Sequence, residues 1–170
     1  AEMADKPWHA ANARAVDAWT QVVRKEHAGD TNVWTARGVA ADRTARTVEI
    51  VVEATGLDPD SIAEFLIVGE QSEKDYEALT ASFARAADIC YALEFIGVPR
   101  GRPVSFSGFQ FWPKGERVQA QIRPLGRAAK DGWPLQNSLR DKRPDARLPE
   151  NFVYVGSRWT GQGCQADERS

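Results

Sequence analysis

Glu73, Asp75 and Glu77, with Tyr76 between them, come nearest in this sequence to residues that could do chemistry. In a strand the odd positions project from one face, so the three carboxylates would crowd together. Crowded carboxylates repel and recruit a proton or a cation, and a pair of them can serve glycoside hydrolysis as acid and base. The same pattern also reads as a solvated sheet edge whose charges discourage aggregation. Far downstream, Gly156-Ser-Arg158 offers backbone amides, the Ser157 hydroxyl and the Arg158 guanidinium to an anion, or forms an ordinary strand exit with Arg158 paired locally.

Other reactive constellations are sparse. His9 and His27 are the only histidines, so a three-histidine zinc site cannot be built, and neither sits in H-E-x-x-H. Glu26-His27 with Asp30 reads as a metal or nucleophile-polarising group, or equally as a solvated helix end. Asp58, Asp60 and Glu64 resemble calcium ligands, but Pro59 breaks the EF-hand spacing and a proline turn accounts for them. Nucleophile elbows, Walker loops and dinucleotide fingerprints do not occur, and no cofactor or metal is implied. Cys90 and Cys164 allow one disulfide in an oxidising compartment, or Cys90 acts as a small buried hydrophobe.

These residues must be carried by one domain-sized chain of 170 residues, long enough for a real core. A net charge of -2 argues against nonspecific nucleic-acid binding, and no run approaches the roughly 20 apolar residues of a membrane-spanning helix. The small, polar start from Ala1 is expected of a mature exported chain after signal-peptide removal, periplasmic or secreted, or of a trimmed fragment. Charge is unevenly placed. Between Glu53 and Glu77 eight acidic residues face Lys74 alone, whereas 123–147 is mainly basic, so opposed patches can steer a partner or join subunits. Trp8, Trp19 and Trp133, with Arg140 and Arg143, are candidate docking residues, since indole and guanidinium groups dominate interface hot spots.

Periodicity predicts an amphipathic helix from Trp8 to about Glu26, with Ala11, Ala15, Trp19, Val22 and Val23 as its apolar positions. Thr47 to Ala54 reads as one strand with Glu49, Val51 and Glu53 on the wetter face. Phe65–Val68 reads as a buried strand, Tyr76 to Phe83 as its return, and Ala86 to Ile96 as a helix closed by Gly97 and Pro99. Pro113-Lys-Gly115 suggests a hairpin between 104–112 and 116–123, dividing Phe106, Phe109 and Phe111 between two faces. Phe152 to Val155 is a last strand. The expected fold is α+β: a small mixed or antiparallel sheet with one central helix and an additional N-terminal helix. The expected organisation is a helical extension over 1–38, an α+β domain over 39–160 and a loose tail over 161–170.

The stretch Glu64-Phe-Leu-Ile-Val-Gly-Glu-Gln-Ser72, the block Lys74-Asp-Tyr-Glu-Ala-Leu79, the helix ending at Gly97-Val-Pro99 with Gly101-Arg-Pro103 after it, and Phe152-Val-Tyr-Val-Gly-Ser-Arg158 together resemble the YdjY-like domain. That family comprises exported or envelope proteins of bacteria whose biochemical role is largely unassigned. The resemblance spans roughly 39–159 and implies a fold and a compartment, without a reaction. Where the family often has His-Glu-Ser this chain has Tyr76-Glu77-Ala78, so a metal role of that histidine does not carry over. Where it often has Pro-Ser-Asp this chain has Ala86-Ala87-Asp88, so the capping hydroxyl is missing. The expectation is a noncatalytic accessory or partner-binding subunit that meets another envelope protein or itself, with the N-terminal helix available for docking. The alternative is a ligand-binding protein or hydrolase for an anionic or carbohydrate molecule, with Glu73, Asp75 and Glu77 opposed to Ser157 and Arg158.

Overall fold

A computed structural model describes residues 3–106, 108–109, 111–140, 148–156, 159–160 and 163–164, the last two pairs by their backbone alone. The fold is α+β. Helix α1 runs His9–Glu26, close to the span its periodicity predicts, and Arg24 and Lys25 in its last turn complement the negative end of the helix dipole. Its buried face is rotated from the predicted one. Val16 and Thr20 are buried and His9, Asn12, Ala13, Trp19 and Val23 half-buried, while Ala11, Ala15 and Val22 are exposed. The reason is that His9, Asn12 and Thr20 have polar partners beneath them, so the inward stripe mixes polar with apolar residues.

Strands β1 (Val33–Ala36), β2 (Val39–Asp42) and β3 (Thr47–Ile50) form an antiparallel meander. Strand β4 (Val52–Ala54) begins a second sheet of order β4-β6-β5, in which β5 (Phe65–Gly69) lies parallel and β4 antiparallel to central β6 (Ala78–Ser82). The single strand expected over 47–54 is therefore shared between two sheets, with Val51 at the changeover. Its N–H donates to the Gly38 carbonyl at 2.8 Å, and its own carbonyl accepts from the Phe83 N–H at 3.3 Å. Facing reverses there too. Val51 and Glu53, assigned to the wetter face, are both buried.

Val16, Val51 and Phe83 make a core cluster under α1, with Ala13 and Trp19 packed against it. Helix α2 (Ala86–Phe95) packs on β1, β2 and β3, burying Cys90 and Ala92. Arg85 at its N-cap makes no side-chain cap, as the missing hydroxyl predicts, and instead pairs with Asp88 at 2.9 Å. Gly97 closes the helix at φ 87, a left-handed conformation glycine adopts without strain.

The chain forms two compact units, one of 1–98 with 157–170 and the other of 99–156. Among the described residues of the second unit no ladder joins 104–112 to 116–123, as the expected hairpin around 113–115 would. There β7 (Glu116–Val118) pairs antiparallel with β10 (Phe152–Tyr154), and β8 (Gln121–Ile122) with β9 (Trp133–Pro134). An antiparallel bridge joins Arg102 to Lys114, and the described residues of the loop between them, 103–106, 108–109 and 111–113, belong to no named strand. In the first unit β11 (Trp159–Thr160) pairs antiparallel with β12 (Gly163–Cys164).

Candidate interaction surfaces

The acidic block folds differently from a strand. Asp75–Glu77 is one 3-10 turn, and β6 starts only at Ala78, so the three carboxylates do not share a sheet face. Asp75 is buried, with Lys6 Nζ 3.8 Å from its carboxylate. Glu77 takes Lys74 Nζ at 2.9 Å, and the same ammonium lies 5.6 Å from the centre of the Tyr76 ring. Hydrogen bonding to Glu77 and to the Tyr76 hydroxyl, with the Glu77 charge, holds the Lys74 pKa above its ordinary value. Glu73 stays exposed. Ser157 and Arg158 lie outside the described residues, as does Arg143.

A polar clamp that spacing did not reveal joins α1 to the second sheet. His9 Nδ1 meets Glu53 Oε1, and Asn12 Nδ2 donates to Glu53 Oε2 at 2.7 Å. The Glu53 side chain is only 3% exposed, so both its oxygens are satisfied where an unpaired carboxylate would be costly. The imidazole stacks on Phe83 with ring centres 5.5 Å apart. On the same phenyl ring, Arg37 lies 5.5 Å from the centroid. Arg37 donates to Asp17 Oδ1 at 3.0 Å, to both Glu70 oxygens at 3.0 Å and to the Phe83 carbonyl at 3.2 Å. Burial works against its charge, but the bonds to Asp17 and Glu70 prevail and its pKa is raised. Thr20 Oγ1 donates to the Val16 carbonyl at 2.8 Å and accepts from the Gly38 N–H at 3.1 Å.

A carboxylate that orients a histidine is one part of a nucleophilic triad. Here Glu53 binds two α1 side chains three residues apart, and the imidazole stacks on Phe83. Among the described residues no group of three or more His, Cys, Asp and Glu could hold a metal ion.

Of the tryptophans proposed for docking, Trp19 is half-buried against the core cluster. Trp8 and Trp133 are each 40% exposed; the latter donates its Nε1–H to Ser138 Oγ at 2.9 Å, and Arg140 is exposed. Larger apolar surfaces lie elsewhere. On β5, an edge strand, Phe65 and Ile67 are 41% and 43% exposed and share one face by the two-residue period of a strand. Expected as a buried strand, β5 stands at the edge of its sheet among the described residues, paired with β6. The other surface is the loop, where Phe106, Phe109, Phe111 and Trp112 are all exposed and none is divided toward a core. Its legible signal was Phe-x-x-Phe-x-Phe-Trp between prolines, in a segment lacking acidic residues.

Neither a family model, nor a curated protein, nor a solved structure matches this chain. Among the described residues no helix is long and apolar enough to cross a membrane.

Proposed function

We propose that this chain is a noncatalytic, exported accessory domain of the YdjY-like type, which binds a protein partner in the bacterial envelope along the edge of β5. The observation that carries the reading is an edge strand whose outer residues, Phe65 and Ile67, are apolar and exposed. An added strand would gain ladder hydrogen bonds from such an edge and specificity from alternate side chains. Charge selects the partner. Glu70, Asp75 and Glu77 find cations within the first unit and Glu53 is bonded to His9 and Asn12, while Asp58, Asp60, Glu64 and Glu73 lie at the surface. An extended segment carrying basic residues fits this rim. A second copy fits less well, since antiparallel β5–β5 pairing would bring Glu64 toward Glu70 of the other copy.

Photo-cross-linking in the native host tests the reading. A photoreactive phenylalanine at Ile67 is expected to trap one exported protein through a basic segment, while the same group at exposed Val22 traps none. Equal trapping at both positions, or a trapped partner confined to the cytoplasm, would overturn it.

A further inference from the structure

The described residues between 103 and 113 concentrate aromatic surface. Phe106, Phe109 and Trp112 are 80%, 83% and 76% exposed, and Phe111 is 55% exposed with its ring 6.4 Å from that of Phe106. Phe109 adopts a left-handed backbone, φ 51, that glycine would occupy with less strain. A ring kept there, almost wholly in water, adds nothing to the core and calls for a contact outside the fold.

Beneath the rings the loop has a firm, cationic neck. The Lys114 N–H donates to the Arg102 carbonyl at 2.9 Å, so the two basic residues stand opposite each other where the loop begins and ends. The neck is packed closely enough that a Cβ at Gly115 would overlap the Tyr154 carbonyl of β10. Arg100, Arg102 and Lys114 are exposed, and no Asp or Glu occurs from 95 to 115. Across 99–156 eleven Lys and Arg stand against five Asp and Glu, so the charge around the loop is positive as well.

Exposed aromatic rings in a segment whose two ends are basic match the depth profile of a bilayer surface, apolar below the headgroups and anionic at them. From these observations we infer that the loop inserts into the surface of an anionic phospholipid bilayer, with Phe106, Phe109 and Trp112 entering the acyl boundary and Lys114 meeting lipid phosphates. The chain rests on the bilayer without crossing it. This inference is independent of the proposed β5 partner.

Sedimentation of the full chain with vesicles tests it, comparing phosphatidylcholine alone with an equal mixture of phosphatidylcholine and phosphatidylglycerol. Binding is expected to the mixed vesicles, to weaken with added salt, and to fall about tenfold or more in the F109S/W112S variant, which loses two buried rings. Lys114→Glu is expected to lower binding about fivefold or more, because one favourable charge becomes repulsive. Thermal unfolding establishes that the variants are folded, and F109S alone serves if the double variant is not. Failure to bind mixed vesicles, or equal binding by wild type and the aromatic variant, overturns the inference. So does finding that the loop drives self-association in solution and that vesicles do not compete with it.

Discussion

The interior beneath α1 and the loop at 103–113 invert the usual placement of side chains in opposite ways. Under α1, charged and polar groups are buried: Glu53, 5% exposed, is bonded to His9 and Asn12, and Thr20, 4% exposed, to Gly38. In the loop, three phenylalanines and a tryptophan face water. The first inversion is complete within the fold, because each buried polar group named has its partner. In the second, all four rings stay more than half exposed among the described residues. Polar burial here therefore speaks of construction, and apolar exposure of contact.

Substitutions break or sharpen that contrast. The largest effect is expected for Phe83→Ala, which removes a core ring that also supports His9 and Arg37, at a cost of about 3 to 5 kcal/mol in urea unfolding. Glu53→Ala comes next, at about 2 to 3 kcal/mol by the same measurement, since it strands His9 and Asn12 together. Thr20→Val keeps the shape but leaves the Gly38 N–H without its acceptor, and about 1 kcal/mol is expected. Arg37→Ala should cost about 1 kcal/mol or less, because the side chain is 41% exposed and solvent screens its pairs; the loss should shrink further in high salt. Phe109→Ser should leave unfolding within about 0.5 kcal/mol of wild type. A stability loss there as large as that of Glu53→Ala would erase the distinction between the two regions.

Local patterns were the legible part of this fold. The spans of α1 and α2 follow from residues within one or two turns of each other, and Gly97 announces its own left-handed stop. Non-local pairing was not legible. Nothing near His9 or Asn12 signals Glu53, which is 44 and 41 residues away, and so the inward face of α1 was misplaced. Glu116–Val118 pairs with a strand more than thirty residues downstream, whereas Pro113-Lys-Gly115 suggested a neighbour across a short turn. The acidic block was misread for a related reason. The returning strand expected from Tyr76 starts at Ala78, because Asp75–Glu77 form a 3-10 turn leading from β5 to the parallel β6. The aromatic loop was visible as composition, but its exposure depends on which strands pair around it.

Val51, where one extended segment passes from the β1–β3 meander to the β4–β6 sheet, has a consequence for how the first unit opens. Its N–H is held by Gly38 on one side, and its carbonyl holds the Phe83 N–H on the other. Neither sheet can peel away without disturbing the residue that both use. Amide deuterium exchange at Val51 and Phe83 is thus expected to proceed through a shared cooperative opening, and slowly, while the outer amides of β5 exchange by local fraying.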